Sequence, residues 1–290
     1  MQEFSYERPE TCDEALALLA RPGARVLAGG TDLIPQLREG RRKVSSLVDV
    51  KRVRELGEIT QTADGGWRIS AALTVAQLTR HAGFVTTHGA IVEAGRLIGS
   101  LQVQSRASLG GNLCNAAPSA DAVPLLLAHD AVAVIASARG TRREAVASLV
   151  QGPGRTTLSP DELLLALELP APGPRSAAKY LRFTPRREMD IAIAGAGVRI
   201  DLDDGGRIGV ARVVLASVAP TPLRAPQAEA VMVGQMPSEA LFAAAGAAAA
   251  KEAQPISDTR GSAAYRRDLV SVLTRRALVA CAAALGGGPA

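Results

Sequence analysis

Two short glycine-bearing segments carry the residue types best suited to hold a ligand. The first is Ala28-Gly29-Gly30-Thr31-Asp32-Leu33. Glycines directly after a strand let main chain approach a diphosphate, and a helix that follows presents free N–H groups at the positive end of its dipole. A Gly-Gly turn before a helix also serves as a plain tight connection, so this segment alone leaves both readings open. The second runs Ser108-Leu109-Gly110-Gly111-Asn112-Leu113-Cys114-Asn115-Ala116-Ala117-Pro118-Ser119-Ala120-Asp121. It gathers glycines, asparagine amides, hydroxyls and a carboxylate, an inventory matched to phosphate oxygens and polyol hydroxyls. Asp121 suits a ribose or ribityl hydroxyl, and it equally suits the N-cap of a helix over Val123 to Leu127.

Several other chemistries are excluded by spacing. The GxGxxG fingerprint is absent, no acidic residue ends a second strand at the required distance, and no Gly-Lys-Ser/Thr marks a P-loop. Cys12, Cys114 and Cys281 form no CxxC and no repeated spacing, so neither an iron–sulfur cluster nor a zinc site is encoded. Cys114 reads as a small packed residue. His81, His88 and His129 are scattered, with no paired carboxylate or serine, and are expected at the surface or at helix caps. No catalytic acid–base residue is expected.

Composition narrows the class further. Hydrophobic residues make up 47% and charged residues 21% of the 290 residues, ordinary values for a globular chain. Aromatic residues are only 3%, so the cores must be aliphatic and a ligand must be held largely by main chain. The net charge of +5 is spread along the chain without interleaved aromatics, which argues against nucleic acid. The run Arg38 to Arg42 with Lys43 reads as a solvated turn, an anion-facing role being secondary. The first residues lack the basic and apolar regions of a signal peptide, and no uncharged stretch reaches the roughly 18 residues of a membrane span. The chain is therefore expected to be cytoplasmic, with no membrane insertion.

The elements that must position the two segments follow from capping and periodicity. Thr11 with Glu14 predicts a capped helix ending before Gly23, followed by a strand from Arg25 to Ala28, the Gly-Gly turn and a helix to Gly40. A short strand is expected over Ser46 to Val50, then a hairpin from Leu56 to Ala71 turning at Asp64-Gly65-Gly66. Thr74 with Gln77 caps a helix to His81, and another helix is expected over Ile91 to Ile98. Gln102 to Asp121 reads as a long ordered loop. Ala131 to Ala136 and Leu163 to Leu169 read as buried strands, and Pro170 to Pro174 as a break between domains. Beyond it come strands near Ala192 to Ile200 and Gly209 to Val218 and two helices, Ser238 to Ala253 and Ala263 to Leu285, a small α+β domain. The Ala-rich run Ala243 to Ala250 is a helix face.

Taken together, the two glycine segments resemble those of the FAD-binding subunits of the molybdenum hydroxylases, a family that includes the medium subunit of aerobic carbon monoxide dehydrogenase and the flavin domain of xanthine dehydrogenase. The resemblance continues in Arg186-Arg187-Glu188-Met189-Asp190-Ile191-Ala192 and in Pro255-Ile256-Ser257-Asp258-Thr259-Arg260-Gly261-Ser262-Ala263-Ala264-Tyr265-Arg266-Arg267, in order along the chain. It implies an α+β protein: a two-subdomain FAD-binding domain of the vanillyl-alcohol-oxidase type over 1–174 (subdomains about 1–55 and 56–174), then the carbon monoxide dehydrogenase type of C-terminal flavoprotein domain over 175–290. Ala28, Gly29, Gly30, Thr31, Asp32 and Leu33 would line the pyrophosphate. Ser108, Gly111, Asn112 and Asn115 would hold the same group and its neighbours, and Asp121 the sugar-like part. Leu164 would pack near the adenine, and Arg182 would stand near the flavin ring, where relatives often have Lys. Ile98 falls where xanthine dehydrogenase has an aromatic ring, so flavin stacking there is expected to be absent. FAD would be non-covalent, because the first segment has neither His nor Cys.

The resemblance also implies partners. Molybdopterin and [2Fe–2S] clusters would belong to a large and a small subunit, assembled with this chain as a dimer of heterotrimers, and FAD would pass electrons from the clusters to an external acceptor. A self-contained flavin oxidoreductase, similar to the reductase of peptidoglycan precursor synthesis, is the alternative. The motif Pro255 to Arg266 fits the hydroxylase subunit and has no place in that reductase.

Overall fold

A computed structural model describes residues 3–286 and contains three main sheets, one parallel and two antiparallel. In the first, Ser5–Glu7 and Ala24–Leu27 pair in parallel with the central strand Ser46–Asp49. Parallel pairing requires crossovers, and the helices Cys12–Leu19 and Leu33–Arg38 supply them. Thr11 Oγ1 accepts from Glu14 N at 3.3 Å, as the sequence predicts, while the Glu14 carboxylate accepts from Glu10 N rather than from the cap residue.

The second sheet is antiparallel, in the order Ile59–Gln61, Trp67–Ser70, Leu163–Leu169, Val132–Ser137, Gly140–Ala145. The expected hairpin is present, turning through Gly65 at φ 81°. One core joins this sheet to the first: Leu19, Val48, Trp67, Ile69, Phe84, Leu125 and Ile135 belong to it. The full capping box at Thr74 and Gln77 is made, but the helix is a single turn, Val75–Leu78. A longer helix, Ala82–Gly95, replaces the one expected over Ile91 to Ile98, with non-helical dihedrals at His88. The expected loop Gln102 to Asp121 contains the short helix Leu109–Cys114, and Leu101–Gln104 overlaps its start.

The third sheet is antiparallel, in the order Ser176–Phe183, Ala194–Leu202, Ile208–Ala216, Leu223–Arg224. The helices Glu239–Glu252 and Ala263–Ala284 cover Ala194, Ala196, Val198 and Ile200 and make a separate core with Phe242, Ala245, Ala249 and Leu278. The Ala-rich run serves that contact. A Cβ at Gly246 would lie 2.5 Å from Ser271 O, so the two helices approach to main-chain distance. Strand Ser176–Phe183 escapes the sequence reading because its small and charged residues are half-buried and show no clean alternation. Residues 287–290 of the expected C-terminal domain lie outside the described residues.

The histidines correct an expectation. His81 does cap a helix, its Nδ1 accepting from Phe84 N at 3.2 Å. His129 stands at the C-cap position of the helix Val123–Ala128, but its side chain and that of His88 are buried, with ring centroids 5.2 Å apart. His88 stacks on Phe84 and bonds Pro170 O at 3.2 Å, whereas neither ring nitrogen of His129 has a partner among the described residues. Burial lowers His88 to about 4 and His129 to about 3. An unfolded chain protonates these rings below about pH 6.5 while the folded chain does not, so stability falls as pH drops through that window. Replacing His129 by Leu is expected to change stability little at pH 7 and to leave the variant about 2 kcal/mol more stable than the wild type at pH 5. Urea denaturation of both at the two pH values measures this, and a difference independent of pH would overturn it.

Candidate functional site

The first glycine turn sits where strand Ala24–Leu27 leaves the parallel sheet. Gly30 adopts φ 75°, and the first helical bond closes from Ile34 N to Gly30 O, so the N–H groups of Thr31, Asp32 and Leu33 precede the helical ladder. Asp32 occupies the N-cap position without a side-chain cap bond. The residue is exposed, yet desolvation by the surrounding cleft holds its carboxyl above the usual range. Gly29 is constrained more severely: a Cβ there would lie 2.1 Å from Arg106 O. The first turn therefore rests on the main chain that leads into the second segment.

In the second segment, Ser108 Oγ caps Leu109–Cys114 by accepting from Gly111 N at 3.0 Å. Gly110 would place a Cβ 2.5 Å from Ala71 O, whereas a Cβ at Gly111 meets only Ser108 Oγ at 3.1 Å. Gly110 thus closes the packing behind the segment, and Gly111 leaves room in front of it. Gln36 Nε2 donates to Asn115 Oδ1 at 3.1 Å and links the two segments directly. Asn112 Oδ1 accepts from Ala122 N at 3.4 Å and steadies the chain that follows.

The cleft between the segments is lined by Ala28, Gly29, Gly30, Thr31, Asp32 and Leu33 on one side and by Ser108, Gly111, Asn112 and Asn115 on the other, with Leu164 and Ile98 also on its walls. No aromatic ring lines it among the described residues. Cys114 is there too, its thiol pushed up to about 12 by burial. Main-chain N–H groups, amides and a hydroxyl facing a cleft that glycines keep open fit a diphosphate-bearing cofactor.

Asp121 and Arg182 do not line this cleft. They meet each other: Arg182 Nη1 lies 2.5 Å from Asp121 Oδ2, with both side chains a tenth exposed or less, and Tyr180 donates to Asp121 Oδ1 at 3.0 Å. The helix Val123–Ala128 starts after Ala122 with no side-chain cap bond, so the capping alternative for Asp121 is wrong. Burial pushes the Asp121 carboxyl up to about 6 against the opposing pull of Arg182 and Tyr180.

Lys51 escaped the sequence reading. Its Nζ donates to Ala28 O at 3.1 Å and contacts Asp49 Oδ1 at 2.5 Å, and Asp49 also accepts from the Tyr6 hydroxyl. Burial raises the Asp49 carboxyl, but the bonds from Lys51 and Tyr6 outweigh it and the net shift is downward. The group fixes the carbonyl at the start of the glycine turn. The only signal in the sequence was the pair Asp49 and Lys51 at a strand end, which reads as an ordinary turn.

Comparisons with known proteins agree with this geometry. The model of the FAD binding domain in molybdopterin dehydrogenase matches residues 2–172, and that of the CO dehydrogenase flavoprotein C-terminal domain matches residues 179–281. The chain is 32% identical over 286 residues to the xanthine dehydrogenase FAD-binding subunit of Escherichia coli O157:H7, covering 98% of this chain and 97% of that one. It is 32% identical over 278 residues to the carbon monoxide dehydrogenase medium chain of Afipia carboxidovorans, covering 95% of each. The structure of carbon monoxide dehydrogenase from Hydrogenophaga pseudoflava aligns with a TM-score of 0.93 at 29% identity, over 97% of this chain and 98% of that one. With both family models matched in order and the glycine cleft in place, the chain belongs to the FAD-binding flavoprotein family of the molybdopterin dehydrogenases.

Proposed function

We propose that this chain holds FAD non-covalently between its two glycine segments, as the electron-transfer subunit of a molybdenum-containing hydroxylase. The observation that carries this is the seating of Gly29 and Gly110 on opposing main chain, which keeps the cleft open for a diphosphate and leaves its lining to N–H groups and amides. Thr31, Asp32 and Leu33 present main-chain N–H groups to that diphosphate, while Ser108, Gly111, Asn112 and Asn115 face it from the second segment. Leu164 packs at the adenine end. Asp121, Tyr180 and Arg182 act one step back, tying the second segment to the C-terminal sheet.

When bound, FAD supplies a two-electron carrier able to take electrons from [2Fe–2S] clusters and pass them to an external acceptor. The clusters and the molybdopterin belong, in this reading, to an iron–sulfur small subunit and a large subunit, joined with this chain as a cytoplasmic dimer of heterotrimers. No described helix is long and apolar enough to cross a membrane. The similarity to chains named as FAD-binding subunits and medium chains supports a subunit over a self-contained oxidoreductase. The domain boundary falls at Pro170 to Pro174, with 1–174 as the FAD-binding domain, divided near residue 55, and 175–290 as the C-terminal domain.

Expression with the neighbouring genes of its own operon is expected to recover the chain with an iron–sulfur and a molybdopterin subunit, and acid or heat to release FAD intact. Recovery of the chain alone would overturn the subunit reading, and flavin retained by the denatured polypeptide would overturn non-covalent binding.

The glycines give a second test. Gly111→Val is expected to keep the fold and weaken FAD binding at least about tenfold, the equivalent of about 1.4 kcal/mol. Gly29→Ala is expected to destabilise the chain itself, by about 2–3 kcal/mol, because the added Cβ meets a main-chain carbonyl. Thermal melting of the apo-protein and flavin titration of both variants separate the two effects, and a Gly111→Val chain with normal FAD affinity would remove the second segment from the site.

A further inference from the structure

We propose that Arg25 and Arg42 form a paired cation site for the diphosphate of the cofactor, an assignment that rests on the flavin reading above. Arg25 projects from strand Ala24–Leu27, and Arg42 follows helix Leu33–Arg38 after a short turn; both line the same cleft as the two glycine segments. The basic run that reads as a solvated turn is thereby divided. Arg38, Arg41 and Lys43 are exposed, with Arg41 paired to Glu39, while Arg42 is half-buried against the cleft.

Arg42 is held in place by the bridge that joins the two segments. Its Nε donates to Gln36 Oε1 at 2.6 Å, and Gln36 in turn donates to Asn115. Among the described residues that bond engages Nε alone and leaves both terminal nitrogens of the guanidinium for a ligand. Arg25 has no carboxylate partner among the described residues. Arg25 is exposed as a whole residue on the open side of the cleft, yet desolvation by the surrounding wall and next Arg42 disfavour its charge, and the one neighbour favouring it is Cys114, whose thiol burial keeps protonated. The acidic residues on the cleft do not neutralise the pair: Glu162 is engaged by Arg142, and Asp32 stands at the start of the helix.

Two like charges brought together in a partly dehydrated cleft repel each other, and an anion placed between them reverses the sign of that interaction. The planar guanidinium fork matches phosphate oxygens two at a time, which a lysine cannot do.

The test uses Arg25→Met, Arg42→Met and Arg42→Lys in the full chain freed of flavin, titrated with FAD, ADP and adenosine at low and high salt, with melting temperatures alongside. Each Met variant is expected to lose about tenfold in affinity for FAD and ADP, the size of one charge-assisted contact, with adenosine binding and melting unchanged. The salt dependence should become shallower, and Arg42→Lys should recover part of the loss. Wild-type affinity and salt dependence in both Met variants, with FAD still bound, would overturn the arginine pair and leave the flavin reading intact. A wild-type chain that ignores FAD but holds ADP, and loses it in the variants, would overturn the flavin reading while upholding the pair; indifference to both ligands would overturn both.

Discussion

The carbonyl oxygen of Arg106 stands where a side chain on residue 29 would have to begin, and much of the cleft is organised around that approach. Gly29 stands in the turn that leaves the parallel sheet and Arg106 in the chain leading into the second segment, so two parts of the molecule that share little sequence proximity are brought to main-chain contact. The same device recurs at Gly110 against Ala71 O. Packing at this distance fixes the cleft walls by excluded volume, and the polar groups between them need only small adjustments. The Gln36–Asn115 bond and the Lys51 contact to Ala28 O then set the orientation of carbonyls and amides that packing alone leaves free.

The parts of this arrangement that were legible in the sequence are those whose physics is local. Glycines at a strand end, Thr74 with Gln77 as a capping box and the Asp64-Gly65-Gly66 turn each act within a few residues, so their types and spacing suffice. Asp121 reads locally as a cap or a hydroxyl ligand, and its protein partners, Tyr180 and Arg182, come from a strand far along the chain. Long-range pairing of this kind leaves no periodic trace. The same holds for His88 and His129, polar residues whose burial depends on how the helix Ala82–Gly95 meets the helix Val123–Ala128. Lys51 was missed for a related reason, since its acceptor is a main-chain carbonyl and any residue type supplies one.

In the C-terminal region the aliphatic composition acquires a structural meaning. With few aromatic rings available, contact area comes from close approach of helices, and alanines with Gly246 allow it. Arg266 holds the ends of this region together, donating to Ile193 O and Ser217 O and pairing with Asp258. Ser217 N in turn donates to Pro118 O at 2.8 Å, so the motif near residue 260 reaches the second glycine segment through two hydrogen-bonded steps.

The position of strand Leu163–Leu169 at the centre of the antiparallel sheet bears on how the protein comes into being. Its neighbours, Trp67–Ser70 and Val132–Ser137, are made earlier by the ribosome and belong to separate hairpins that cannot join until the later strand slides between them. Closing so long a stretch of chain costs entropy before any contact rewards it, so this pairing comes late in assembly and leaves strand edges exposed meanwhile. Leu164 lies on that strand and forms part of the cleft wall. Cofactor loading is thereby ordered after synthesis of at least the first 169 of the 290 residues, and flavin supply during biogenesis acts on a chain already more than half made.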